Sequence, residues 1–269
     1  MAGVPNNSIL NETSSADQQS RHSAMAILAA LADQHAPVTV AELAAVTALH
    51  RASLYRNIEG LADEGLVERI AGTPRRYSIG LEFIRIGLRS LRHFELRTLL
   101  LPSLVELAIE TGEPCSLLFY DRGEAVGTDS VYLPEPPIVT VAEGVRIPVH
   151  CHGMGKAMLA LQSEAEIARV LSRPLRRYTS LTIVAPDDLR SVLVETRERG
   201  YGFAFGELHD GLGTVGFPLR NRQGVAVASL GVRVLRPEGP TDVILAIGRA
   251  VSAKASSALG YRPGPLGAL

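Results

Sequence analysis

The sequence is poor in the features that mark most functional classes. It holds two cysteines, Cys115 and Cys151, in 269 residues, too few for a disulfide framework. No apolar run approaches the roughly 18 residues of a membrane-spanning helix, so no membrane partner is expected. Residues 1–20 are polar, from Asn6-Asn7-Ser8 to Gln18-Gln19-Ser20, and lack the basic start and apolar core of a signal peptide. They are expected to form a disordered tail, and the protein to be cytoplasmic. Lysine is confined to Lys156 and Lys254, a preference for arginine that carries no inference. A surplus of positive charge is missing as well. The formal net charge is −1, which argues against a protein that coats nucleic acid without regard to sequence, because phosphate affinity needs a local excess of cations. Between Ser20 and Arg92 nine arginines face seven acids, so placement must matter more than total charge.

Signatures of catalysis are also absent. Gly153-Met154-Gly155-Lys156-Ala157 superficially suggests a phosphate-binding loop. The G-x-x-x-x-G-K-[ST] spacing is not met, however, and Ala157 stands where the metal-binding hydroxyl belongs. There is no G-x-S-x-G nucleophile elbow. His209-Asp210 could pair for catalysis, but Gly211, Gly213 and Gly216 fit a turn between strands with less assumption. His150-Cys151-His152, with His209 as a further ligand, invites a metal; a structural zinc site uses four ligands at recognisable spacing, and no second cluster exists. No catalytic residue, metal or cofactor is therefore expected. What the loop at Gly153 offers is glycine-rich backbone entering a helix, whose free N–H groups and dipole suit a small anion.

What is present is an ordinary globular composition, 46% hydrophobic and 20% charged, at a length suited to two domains. Arg21 to Gln34 spaces Ala24, Ile27, Leu28 and Leu31 as a helix. Next, Thr39 and Glu42 form a capping box, a joint falls at Thr47-Ala48-Leu49, and a second helix runs from about His50 to Glu64. It puts Leu54, Ile58 and Leu61 on one face and Arg51, Ser53 and Arg56 on the other, and Gly65 stops it. Leu66-Val67-Glu68-Arg69-Ile70 and Arg76-Tyr77-Ser78-Ile79 then alternate around Gly72 and Pro74, a hairpin signature. This is a winged helix-turn-helix, a shape that lays one helix into the major groove of DNA. Arg51, Ser53, Leu54 and Arg56 sit at the start of that helix, where base edges are reached. Arg75 and Arg76, near the hairpin tip, are placed to meet phosphates, fixing register without reading sequence.

The spacing of Leu81, Ile84, Leu88 and Leu91 marks a linker helix that pairs with its copy in a second subunit. Beyond Pro102 the character changes. Leu104 to Thr111 continues a helix, closed by Gly112. Strand patterns occupy Cys115–Tyr120, Ala125–Val131 and Ile138–Val141; helices follow at Gly155–Leu161, Glu164–Leu171 and Pro186–Arg199. Strands return at Tyr201–Phe205, Thr214–Leu219 and Val225–Val234 before a last helix from about Thr241 to Leu259. Strands grouped at both ends with helices inserted indicate an α+β sheet domain, not a doubly wound one.

Several spaced motifs carry a family resemblance. They are Gly65-Leu66-Val67-Glu68-Arg69, Ile147-Pro148-Val149-His150 running into Gly153-Met154-Gly155-Lys156-Ala157-Met158-Leu159-Ala160, Arg199-Gly200-Tyr201 with Glu207 and Gly211, and Phe217-Pro218-Leu219 leading to Gly224-Val225-Ala226-Val227-Ala228. Over Arg21 to Leu259 the chain resembles the IclR-type bacterial transcriptional regulators. The resemblance implies a winged helix-turn-helix at 21–80, the linker helix at 81–96 and a GAF-like effector-binding domain at 97–261, with a short tail at 262–269. It also implies a homodimer or tetramer on a double-stranded DNA operator, controlled by a small effector, often a carboxylic or aromatic acid. In the family the ligand lies between the sheet and the glycine-rich helix start, here Gly153-Met154; Val149, Phe205, Thr214, Gly231 and Arg233 match other pocket positions. The chain departs from the pattern in having Gly202-Phe203-Ala204-Phe205-Gly206 for an acidic run, and Gly231 and Arg233 for two small hydroxyl residues. Those changes favour an anionic ligand with an apolar body, Arg233 pairing with the charge and Phe205 covering the body. The expected function is thus a ligand-responsive repressor or activator of small-molecule metabolism. The alternative is a small-molecule enzyme with an appended DNA-binding regulatory domain, which would require a nucleophile or metal constellation.

Overall fold

A computed structural model describes residues 22–92, 94–133, 138–141 and 144–263. The expected tail at 1–20, Arg21 at the start of the first helix, and positions 264–269 of the expected C-terminal tail lie outside the described residues. The chain divides into two compact units, Met1–Phe94 and Glu95–Leu269.

In the first unit, helix α1 covers 22–32. It is followed by β1 (Val38–Thr39), α2 (Val40–Thr47), α3 (Arg51–Asp63), β2 (Val67–Ile70), β3 (Arg76–Ile79) and α4 (Leu81–Arg92). The capping box forms: Thr39 Oγ1 accepts the Glu42 N–H at 3.3 Å, and the Glu42 carboxylate accepts the Thr39 N–H at 2.6 Å. Both donors would otherwise lack partners at a helix start. Ala48, left-handed at φ 54°, makes the joint between α2 and α3. Gly65, at φ 73°, turns the chain out of α3 into the hairpin. Ile27, Leu31, Leu43, Leu54, Ile58 and Tyr77 fill the core between α1, α2, α3 and the small sheet, whose antiparallel order is β1-β3-β2.

The second unit opens with α5 (Glu95–Thr111), which passes through Pro102 without stopping. The sequence pattern changes character at Pro102 and continues a helix from Leu104 to Thr111, and α5 contains both. An internal proline forfeits an N–H bond and crowds the preceding turn, at a cost of about 3 kcal/mol. Leu100, Leu104, Leu107 and Ala108, all fully buried, offset that cost through packing.

Next come β4 (Cys115–Asp121), β5 (Glu124–Tyr132), β6 (Ile138–Val141), β7 (Arg146–Pro148), a 3₁₀ turn at Val149–Cys151, and α6 (Gly153–Leu159). Then follow α7 (Glu164–Leu171), α8 (Pro186–Arg199), β8 (Gly202–Phe205), β9 (Gly213–Arg220), β10 (Ala226–Val234) and α9 (Asp242–Ala258). The sheet is antiparallel in the order β6-β5-β4-β10-β9-β8, with β7 added on β5. Successive residues of a strand face opposite ways, and β9 shows both faces. Gly216 abuts Met154 of α6, while the neighbouring Phe217 ring lies against Gly248 of α9. One face therefore carries α9 and the α5 packed on it. The other carries α6, α7 and α8 over a core that includes Leu118, Met154, Met158, Ile167, Leu189 and Leu193. This is the α+β architecture read from the sequence. Among the described residues no helix is long and apolar enough to cross a membrane.

Candidate functional site

Helix α3 separates its residues by burial. Leu54 and Ile58 are fully buried and Leu61 nearly so, and this side drives the helix onto α1 and α2. That removes Leu54 from the expected DNA-reading set: with its side chain inside the core, it has no route to a base edge. Arg51, Ala52, Tyr55 and Arg56 are exposed on the opposite side. Among the described residues Arg51 and Arg56 form no hydrogen bond or ion pair. Ser53 is half-buried and, with Arg56, His50 and Asn57, lines a groove of about 790 Å³ between α1 and α3. Tyr55, not among the residues expected from sequence, is 54% exposed beside Arg56. An aromatic ring on the polar face of an amphipathic helix was the signal available.

The hairpin arginines are engaged to different degrees. Arg69 donates to Glu59 Oε2 at 2.9 Å, to the Glu59 carbonyl at 3.1 Å and to Asp63. The Tyr77 hydroxyl donates to Glu59 Oε1 at 2.7 Å. That bond, with Arg69 behind it, holds the Glu59 carboxyl below its ordinary range. Glu59 thus ties the wing to α3 and fixes where the hairpin sits beside the exposed helix face. Arg75 and Arg76 are both exposed; Arg76 donates to the Pro37 carbonyl at 2.8 Å and has Glu42 at 3.7 Å, and Arg75 has Glu59 at 3.7 Å.

In the second unit, sheet register brings most of the expected effector residues to one face. Gly153 N–H donates to Thr214 Oγ1 at 2.8 Å. Met154 lies against Gly231 and Gly216, and Thr214 pairs with Arg233 across β9 and β10. Val149 is buried in the core with Met154. Gly231 and Arg233, two apart on β10, both point toward α6, and Arg233 is exposed at its end of the strand. Ser116 pairs with Gly231, and its hydroxyl lies 3.0 Å from that of Ser130, adding a hydroxyl pair that the sequence reading missed. Only register across three strands reveals it.

Two expectations about this site are overturned. Phe205 pairs with Gly213 on β9, one residue out of step with the Ala204–Thr214 pair that faces α6. Its ring fills the place of a Gly213 side chain on the opposite face, so it cannot cover a ligand lying over Gly231. Nor is the start of α6 an open anion cradle. The Gly153 N–H is donated to Thr214, the Gly155 N–H goes to His152 Nδ1 at 2.9 Å, and the backbone of Gly216 presses on that of Met154. The glycines let α6 lie directly on the sheet.

In the His150-Cys151-His152 run, His150, Cys151 and His152 Nδ1 are likewise engaged in structural bonds, while His152 Nε2 is buried without a hydrogen-bond partner. His150 Nε2 lies 3.0 Å from the Arg176 carbonyl. The Cys151 thiol donates to the Pro148 carbonyl at 3.5 Å, and burial pushes it up to about 12. His209 is exposed. Lys156, almost wholly buried, is paired with buried Glu207. Burial draws the lysine below its ordinary value, against the pull of Glu207. The Glu207 carbonyl in turn accepts the Thr182 hydroxyl at 2.6 Å. This pair fastens α6 to the loop after β8, which takes Lys156 out of any phosphate-binding role.

Comparison with known proteins gives a consistent picture. The family model described as bacterial transcriptional regulator IclR C-terminal matches residues 88–255, and that of the IclR helix-turn-helix domain matches residues 24–71. The transcriptional repressor IclR of Escherichia coli K12 is 30% identical over 188 residues, 69% of this chain and 68% of that protein. The crystal structure of an IclR transcriptional regulator from Alicyclobacillus acidocaldarius superposes with a TM-score of 0.76 at 25% identity, covering 90% of this chain and 99% of that one. An IclR homologue from Microbacterium hydrocarbonoxydans, solved in complex with 4-hydroxybenzoate, shares the fold with a TM-score of 0.72 at 21% identity, covering 90% and 99%.

Proposed function

Because the chain belongs to the IclR family of ligand-responsive bacterial transcriptional regulators, we propose that α3 reads an operator through Arg51, Ser53 and Arg56 while an organic acid on the α6 face of the sheet sets the affinity. Arg51 and Arg56 carry the first half of this reading. They are exposed cations without an internal partner on the solvent face of α3, whereas Arg69 nearby is bound by two carboxylates. A guanidinium with its donors free can fork onto guanine O6 and N7. Arg75 and Arg76 meet phosphates beside it, fixing register.

Arg233 carries the second half. It stands exposed beside Thr214 and Gly231, with no acid paired to it among the described residues, and its planar fork matches a carboxylate. The carboxylate docks there and not on the Gly153-Met154 backbone. Met154 supplies the apolar wall, and the Ser116–Ser130 hydroxyls suit a polar substituent on the acid. The 4-hydroxybenzoate found in a relative has this form, a carboxylate, a flat apolar body and a hydroxyl. The regulator works in the cytoplasm on genes that handle such an acid.

It acts as a dimer on a palindromic site. The α4 residues Leu81, Ile84 and Leu88 are 79%, 46% and 58% exposed, an apolar stripe of the spacing that pairs helices. The fourth member of the stripe, Leu91, lies outside the residues whose side chains are described. A gel-shift on the DNA flanking its own gene, with and without 4-hydroxybenzoate and benzoate, tests the proposal. Sequence-specific retardation that an acid strengthens or weakens supports it. Retardation equal on unrelated DNA overturns the operator half, and indifference to every acid overturns the effector half.

A further inference from the structure

The face of the sheet opposite the proposed effector site carries a second concave, cationic surface. A cavity of about 480 Å³ opens where the end of β9 meets α9, lined among others by Pro218, Arg220, Arg249, Ser252, Ser256 and Tyr261. None of its lining residues is acidic. Among the described residues neither Arg220 nor Arg249 forms an ion pair. Elsewhere in the chain Arg69, Arg85, Arg97, Arg146 and Arg169 each have a carboxylate within 3 Å. From this groove we infer a second ligand site, one that takes a small dianion bearing phosphate or paired carboxylate oxygens.

Both guanidiniums are oriented before any ligand arrives. Arg220 Nη1 donates to the Tyr261 hydroxyl at 3.0 Å, and its Cζ stands 5.2 Å from the centre of that ring. Arg249 Nη2 donates to the Arg199 carbonyl at 3.1 Å, with its Cζ 5.4 Å from the centre of the Tyr201 ring. Each guanidinium thereby spends one N–H and one face on the protein. The N–H groups that remain are enough for a forked contact with an oxyanion.

The floor beneath them is built from small polar groups. Ser256 Oγ accepts the Arg220 backbone N–H at 3.0 Å and keeps its own proton to donate. Ser252 Oγ donates to the Arg249 carbonyl at 3.2 Å, and the residue is buried. Pro218 gives an apolar edge. Two like charges facing one cavity repel, and an ion carrying two negative charges neutralises both, where a monocarboxylate leaves one uncompensated. The volume falls in the range of small-metabolite sites, about 300–1,000 Å³. Arg249, Ser252 and Ser256 belong to α9, which packs on the face of the sheet away from α6, so this groove and the Arg233 site are separate and can be emptied separately.

Calorimetric titration of the full chain with inorganic phosphate, and in a second arm with succinate, tests the inference. One saturable site per chain is expected in at least one arm. Phosphate alone identifies a phosphate-bearing ligand and succinate alone a dicarboxylate; either upholds the site. Arg249→Gln, at an exposed position, should weaken binding about tenfold or more. Arg220→Lys, which keeps the charge and loses the fork, should weaken it several-fold, and Arg233→Ala should leave it unchanged. The inference is overturned if neither anion binds, if both groove variants bind as wild type does, or if Arg233→Ala abolishes the signal.

Discussion

Met154 occupies the space that a side chain on Gly231 would need: a β-carbon at position 231 would fall 2.2 Å from the Met154 sulfur. The two residues lie on α6 and β10, and their contact is one point of a seam along which the helix rests on the sheet.

The seam yields a pair of contrasting mutations. A β-carbon at Gly216 would come within 2.3 Å of Met154 Cα, which is backbone and cannot step aside. At Gly231 the obstacle is the flexible end of a methionine. Gly216→Ala should destabilise the protein by about 1–3 kcal/mol, the usual cost of overpacking, and Gly231→Ala by distinctly less. Urea denaturation of the two variants checks the order. Equal losses would mean that α6 does not lie on the sheet at the described distance.

The arginines of the DNA-binding unit separate by role. Arg56→Ala should cost about 1–3 kcal/mol of operator affinity and relax specificity at one base pair. Tyr55→Ala should also weaken operator binding, since that ring is the largest apolar group on the exposed face of α3. Arg69→Ala should change the base preference at no position, because its donors are consumed by Glu59 and Asp63, and it should loosen the wing instead. Binding measured on a set of single-substitution operators at fixed salt distinguishes these outcomes.

His152 makes stability depend on pH. Its Nδ1 accepts the Gly155 N–H, and burial, with Lys156 and His150 nearby, lowers its pKa from 6.5 to about 3. His150 is lowered in the same direction, chiefly by burial. A lowered histidine stays neutral in the fold while the unfolded chain takes up the proton. Stability is therefore full above pH 6.5 and declines as the pH falls toward 3, by about 1.4 kcal/mol per pH unit per histidine at most. His152→Asn keeps a capping acceptor for Gly155 and removes the titration. Denaturant midpoints at pH 7, 6 and 5 should fall less steeply in the variant; parallel slopes would contradict the assignment.

The exposed stripe on α4 predicts an assembly. Leu88→Glu should turn a dimer into a monomer and impair operator binding, while the second unit keeps its fold by circular dichroism. Sedimentation of the wild type as a monomer at micromolar concentration would remove the stripe from that role.

Local signals carried much of this structure. The capping box at Thr39 and Glu42 could be read directly, and α7 and α8 have the limits that their periodicity suggests, because Ser163 and Pro186 mark helix starts by their own chemistry. Errors arose where tertiary contacts decide. Leu54 belongs to both the apolar stripe and the start of α3, and only packing says which role holds. The face on which Phe205 falls depends on a one-residue register with β9, which inverts every side chain along the strand. The acceptor of the Gly153 N–H, Thr214, lies 61 residues away in sequence, so no local pattern shows that this donor is taken. The helix expected to continue past Pro102 does so, held by the buried leucines around it.

Coupling between acid and operator is measured by fluorescence anisotropy on a labelled fragment of the flanking DNA. Titrations of wild type and Arg233→Ala, each with and without 4-hydroxybenzoate, give four dissociation constants. The acid should shift wild-type affinity by about 5–150-fold, the range of typical coupling energies. Arg233→Ala should bind the operator as wild type does in the absence of acid and no longer respond to it. An Arg233→Ala protein that responds to the acid as fully as wild type would contradict the account.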